Sequence, residues 1–185
     1  METAWLEGVI SVEAALQAGS RPVYGVYVRE GKWDGGVRRV LVAAEACGVP
    51  VHRVSASFIA EKATGSTHGG VLAEVGERRF VPLAALLAAE RPFLAMLDGV
   101  EDPYNFGQAV RALYAAGAHG LVIRARNWLP VAGILARASA GAFERIPIGI
   151  TETAESAASF FRQHGLTIAC ATQSDSIRLY QADLT

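Results

Sequence analysis

Apolar positions recur along the chain with two periods, and the period switches repeatedly. Residues 12–18 follow Ser11, a good helix cap, and end at Gly19, which predicts a first helix. Val23-Tyr24-Gly25-Val26-Tyr27-Val28 is β-branched and aromatic and predicts a strand. Polar residues 29–36 follow as a loop. Val37, Val40, Leu41 and Ala44 have helical spacing, so a helix is predicted over 37–47 with Gly48 ending it. A short strand is predicted over 49–54, then a helix over 58–64 capped by Ser57. Thr67-His68-Gly69-Gly70 reads as a turn feeding a strand at 71–75.

Val81-Pro82 and Arg91-Pro92 bracket an Ala/Leu-rich stretch that reads as a connecting helix. The expected organisation is therefore a domain over 1–80, a connector over 81–92 and a second domain over 93–185. The second half is a cleaner alternation. Residues 92–97 are a continuous apolar run, as in a parallel strand covered on both faces. A helix over about 106–116 stops at Gly117. Strands are predicted at 121–123, 146–148 and 166–171. Helices are predicted at 129–138, with Pro130 near its first turn, and at 154–164, between Thr153 as cap and Gly165 as stop. Strands separated by helices imply right-handed crossovers and a parallel sheet, so the fold class is α/β. Such sheets bind ligands at the carboxyl ends of their strands.

Composition narrows the class further. The chain has 185 residues, 51% of them hydrophobic, which is enough to bury a core and excludes intrinsic disorder. Lys plus Arg number 17 against 18 Asp plus Glu, a formal charge of −1. A general DNA coater would be expected at a pI above about 9; a local basic patch still suffices for an RNA enzyme. No apolar run approaches the roughly 18 residues of a spanning helix. The N-terminus carries acid where a secretion signal carries base, so a cytoplasmic protein is expected. Cys47 and Cys170 are expected to be buried, reduced thiols. His52, His68, His119 and His164 are dispersed with no zinc-type spacing, so no metal is expected.

The chemistry concentrates in the turn from the first strand of the second half into its helix, residues 97–111. Read locally, Asn105 with Gln108 is a capping-box pattern. Gly107 permits a close approach in the first turn. Arg111 lies one turn further, near the same helix face. An ordinary capped helix with an exposed Arg accounts for the local pattern equally well. No phosphate-binding Gly-rich run is present.

The run Asp98, Asp102, Pro103, Asn105, Gly107 and Arg111 resembles the first signature of the SpoU/TrmH-type RNA 2′-O-ribose methyltransferases of the SPOUT superfamily. That signature is Asp-x-x-x-Asp-Pro-x-Asn-x-Gly with an Arg four residues later. Ala115-Ala116-Gly117 with Gly120, and Ala138-Ser139-Ala140-Gly141-Ala142 before Pro147, are similar to later family segments. The first half resembles the ribosomal-protein-like α/β RNA-binding domain that often precedes this catalytic domain. Thr67-His68-Gly69-Gly70-Val71 is its closest cue.

The resemblance implies S-adenosylmethionine as methyl donor, a ribose 2′-hydroxyl of ribosomal or transfer RNA as acceptor, and a homodimer. It places Arg111 and Asn105 at the acceptor. Arg111 would clamp phosphate and stabilise developing oxyanion charge, because a guanidinium keeps its proton. Asn105 would order the loop as a cap. Glu101, Asp102, Gly107, Ser139 and Gly141 would shape the active-site loops, and Thr172 would face the cofactor edge. Lys32, Trp33, Arg38, Arg39 and His68 are the candidate RNA contacts, since a Lys beside a Trp pairs phosphate contact with base stacking. Arg124, Arg126 and Arg145 extend a basic rim, while Trp128 reads as core.

Two further family signatures, a Gly-x-Glu-x-x-Gly loop and a Ser-Leu-Asn-Val-Ser-like segment, do not occur in the chain. In the family these tie the trefoil knot and hold most of the cofactor pocket. The expectation is thus a knotted, Rossmann-like methyltransferase domain that is truncated here, inactive without the missing segment. The alternatives are a non-catalytic RNA-binding module that keeps the family's front half, and a generic doubly wound nucleotide binder.

Overall fold

A computed structural model describes residues 2–172, 174 and 176–182. The first half is a four-stranded sheet in the order β1-β4-β2-β3, formed by β1 (Ala4–Glu7), β4 (Val71–Val75), β2 (Val23–Arg29) and β3 (Val51–Val54). β4 runs antiparallel to both neighbours, while β2 and β3 are parallel. Alternation sends Leu6, Val26, Val28, Val71, Ala73 and Val75 into a core with Val12 and Leu16 of α1 (Val9–Ala18) and Val37, Val40 and Ala44 of α2 (Gly35–Ala46). α3 (Ala56–Lys62) packs on β2.

Several ends differ from the sequence reading. β1 is too short to be read locally and forms only by pairing with β4, distant in sequence. Gly8, at φ +85°, turns the chain directly from β1 into α1. The helix therefore starts ahead of Ser11, which is buried inside it rather than capping it. Asp34 caps α2, its Oδ1 accepting from the Val37 amide at 2.9 Å. Ser55 rather than Ser57 caps α3. Both Cys47 and Cys170 are exposed, contrary to the expectation of buried thiols.

The second half is a parallel three-stranded sheet, β5-β6-β7, from β5 (Leu94–Met96), β6 (Gly120–Arg124) and β7 (Ile148–Thr151). α4 (Pro103–Ala115), α5 (Ala132–Ala138), α6 (Ala142–Arg145) and α7 (Ala154–Gln163) surround it. The helix predicted over 129–138 splits into a 3-10 turn, Leu129–Val131, and α5. The expected connecting helix is a 3-10 turn, Leu83–Leu87, and the Val81 amide donates to the Ile148 carbonyl at 2.9 Å beside β7. Residues 166–171 do not form the fourth predicted strand. Leu166 and Ile168 instead pack on the cluster that contains Phe161 and Leu86, because a short apolar run fits a covering segment as well as a strand.

The two halves share a seam. Ala132 and Ala136 of α5 enter the core of the first sheet beside Leu6 and Val12. A Cβ on Gly133 would stand 2.5 Å from the Trp5 carbonyl oxygen. Gly133→Val is therefore expected to push α5 off β1 and lower the midpoint of chemical denaturation; an unchanged midpoint would show that α5 packs elsewhere in solution.

Buried charge locks the same seam. Arg21 Nε and Nη2 each donate to Glu144 at 2.9 Å, and Ser20 donates to the same carboxylate. Arg78 donates to the carbonyls of Phe143 and Ile146 at 3.0 and 2.6 Å. Burial pushes the Arg78 guanidinium down to about 10, so it stays charged at neutral pH. Glu7, 3% exposed, accepts from both the amide and hydroxyl of Thr64, from the Gly65 amide, and from Arg137 Nη1 at 2.8 Å.

Candidate functional site

Asp102, not Asn105, caps α4. Its Oδ1 accepts from the Asn105 amide at 2.7 Å, and Pro103 occupies the first turn, where its missing N–H costs nothing. The expected Asn105–Gln108 capping box is therefore not formed. Helix onset moves three residues earlier, which leaves Asn105 exposed within the first turn. Gly107 sets the helix spacing. A Cβ there would sit 2.6 Å from Ala138 Cβ and 3.3 Å from the Leu135 carbonyl, so α4 and α5 touch along their backbones.

One turn beyond, Arg111 is exposed and lines a groove of about 610 Å³. Tyr104, Gln108, Arg111, Ala112 and Ala115 of α4 form one wall. Arg137 and Ala138 of α5 form another, and Thr67 closes it from the first half. Two guanidiniums thus face a groove between the halves of the molecule. Arg137 was not singled out in the sequence. Its role depends on Glu7, 130 residues away, which also holds the 64–65 segment next to the groove. Nothing local signals that pairing.

Ser139 and Gly141 do not line the groove. They form the tight turn just after Ala138, which does. Ser139 is fully buried; its Oγ donates to the Ala136 carbonyl and accepts from the Phe143 amide at 3.1 Å. Gly141, at φ +79°, lies against α1, where a Cβ would meet Ala14 Cβ at 2.7 Å. Ser139→Ala is expected to cost about 1–3 kcal/mol by leaving a buried amide unpaired, read as a lower thermal midpoint. No change would mean the turn holds without its hydroxyl.

Around α4 the basic rim is partly engaged. Arg124 lies 3.8 Å from Asp98, and Arg126 reaches the Glu101 carbonyl at 3.5 Å; Glu101 itself is exposed. Arg145 points away from the groove, to Gln17. On the first half, Lys32 pairs with Asp34 at 2.7 Å and Arg53 covers the exposed Trp33 ring at 5.6 Å. His68 Nδ1 accepts from the Gly70 amide, and a Cβ on Gly70 would lie 3.8 Å from Lys32 Cγ. Lys32 thus adjoins the 67–70 turn, whose Thr67 lines the groove. Arg38 and Arg39 are exposed on α2, with Arg39 held by Glu13 of α1 at 3.1 Å.

Among the described residues no group of three His, Cys, Asp or Glu side chains is placed to hold a metal, and no helix is long and apolar enough to cross a membrane. Thr172 is the residue expected at the S-adenosylmethionine edge. It is exposed and its hydroxyl is engaged with Ser174.

The class of protein follows from the fold. An rRNA methyltransferase from Sinorhizobium meliloti superposes with a TM-score of 0.77 at 24% identity, over 98% of this chain and 66% of that one. An AdoMet-bound rRNA methyltransferase from the same organism superposes with a TM-score of 0.68 at 25% identity, over 89% of this chain and 59% of that one. The chain thus has the two-part α/β architecture of RNA methyltransferases. Residues 92–185 match the profile of the SpoU rRNA Methylase family, and the chain belongs to that family. Residues 5–81 match the RNA 2′-O ribose methyltransferase substrate-binding profile. The 23S rRNA (guanosine-2′-O-)-methyltransferase RlmB of Shewanella oneidensis is 28% identical over 181 residues, 96% of this chain and 74% of the relative.

Proposed function

We propose that the protein methylates a ribose 2′-hydroxyl of RNA in the cytoplasm, with ribosomal RNA as the favoured class, and acts as a homodimer. S-adenosylmethionine supplies the methyl group. The observation that carries the reading is the placement of Arg111 in a groove whose opposite side is closed by Thr67 of the substrate-binding half. An RNA strand held by that half runs past Arg111.

The acceptor hydroxyl needs a fixed position and help in losing its proton. Arg111 does not take that proton. Its planar donors grip a phosphate beside the acceptor ribose and stabilise charge growing on the oxygen. Arg137, steadied by Glu7, adds a second cationic contact along the same groove. Asn105, exposed in the first turn of α4, stands ready to contact the acceptor nucleotide.

The test is transfer of labelled methyl groups from S-adenosylmethionine to unmodified 23S ribosomal RNA, followed by mapping of the modified position. Incorporation at a single ribose supports the reading. RNA binding without any incorporation would overturn it.

A further inference from the structure

A second cleft, of about 300 Å³, lies apart from the residues that line the first groove. Arg21, Glu77 and Arg78 line it from the first half and the chain leaving it; Arg126, Asn127 and Trp128 line it from the loop at the carboxyl end of β6. None of the roles above uses it.

Its charge is unbalanced. Arg21 and Arg78 are 3% and 8% exposed, and the one buried carboxylate beside them, Glu144, is paired with Arg21. Among the described residues Arg78 donates only to neutral carbonyls, and the carboxylate that acts on its charge, Glu144, is shared with Arg21. Arg126 adds a third guanidinium at the rim, with Glu77 as the opposing rim charge. The potential in the cleft is therefore positive, and burial weakens its screening by water.

The second observation is an unmet donor. Trp128 is 7% exposed, and its buried indole Nε1 has no acceptor among the described residues. A buried N–H without a partner is costly, and native structures rarely leave one. The Arg126 guanidinium lies over the indole ring at 4.3 Å, and its only hydrogen bond among the described residues is the long one to Glu101. Most of its donors are open. A cationic cleft with an unsatisfied indole N–H and an open guanidinium calls for a compact anion rich in acceptor oxygens.

We infer that this cleft is a phosphoryl-binding site that takes a backbone phosphate of the RNA substrate away from the acceptor nucleotide. The location supports the RNA strand as the source. Trp128 packs on Phe106, the residue before Gly107, with ring centroids 4.9 Å apart. Arg126 bonds the segment that leads into α4. A phosphate held here therefore steadies the start of the helix that carries Arg111. This assignment of the source rests on the proposed action on RNA; the affinity for a phosphoryl group does not.

The test titrates the 185-residue chain with inorganic phosphate, with uridine 5′-monophosphate and with a short single-stranded RNA. Arg126→Gln and Trp128→Phe are compared with wild type; the second keeps an aromatic ring but removes the N–H. Arg162→Gln, at an exposed position of α7, serves as control. Each cleft variant is expected to weaken nucleotide binding about tenfold, as for loss of a hydrogen bond to a charged group. For RNA, Arg126→Gln is expected to reduce the salt slope by about 0.7. Unchanged nucleotide binding in Arg126→Gln, or an equal loss in Arg162→Gln, overturns the site. Because Arg126 is exposed, that variant remains informative even if Trp128→Phe perturbs the core. If the variants weaken phosphate and nucleotide but leave RNA affinity intact, the site binds free phosphate and the RNA assignment is overturned. A wild-type chain that binds nucleotide through the cleft but no RNA supports the phosphoryl site while refuting the proposed function.

Discussion

Glu144→Ala is expected to destabilise the protein by about 3–5 kcal/mol, the range for removing one partner of a buried ion pair. The carboxylate is 1% exposed and takes both parallel donors of Arg21 as well as the Ser20 hydroxyl. Without it, Arg21 and Arg78 are both left charged in the seam without the carboxylate that acts on each. Against a total stability of about 5–15 kcal/mol, the loss would be severe. Urea denaturation measures it. The paired change Arg21→Met with Glu144→Leu removes both charges and is expected to recover most of the loss. If Glu144→Ala costs less than about 1 kcal/mol, the range of an exposed pair, water reaches the seam and the buried pair is not holding it.

Arg111→Lys is expected to lower methyl transfer nearly as much as Arg111→Ala, by about 10²–10³-fold, the range for losing a preorganised charge-stabilising donor. Lysine keeps the charge but not the planar pair of donors. The loss should fall mainly on kcat, since Arg137 and the first half still hold the RNA. Neither change should alter the fold, because Arg111 is exposed. Near-normal turnover of the Lys variant would eliminate the bidentate grip and leave simple charge attraction as its role.

What the sequence disclosed depended on how local each signal was. The helix stops at Gly19 and Gly117, the strand at 23–28 and the cap at Thr153 all rest on neighbouring residues. The signature from Asp98 to Arg111 was legible for the same reason. The cap of α4 was misassigned to Asn105 because two acceptors, Asp102 and Asn105, lie within one turn, and only backbone geometry decides between them. Arg137, the Arg21–Glu144 pair and β1 were not legible. Each depends on a partner more than 60 residues away, and no pattern of spacing encodes that distance.

The way α5 lies against β1 also bears on how such proteins recombine. Ala132 and Ala136 complete the packing of a sheet formed by residues more than 50 positions earlier. The connector at 81–92 is thus a poor place to cut and rejoin genes. A hybrid that takes its substrate-reading half from one ancestor and its catalytic half from another inherits a mismatched surface on Leu6, Val12 and Trp5. With Lys32, Trp33 and α2 as the proposed RNA contacts, exchange of RNA preference between lineages is then easier through point changes there than through exchange of whole halves.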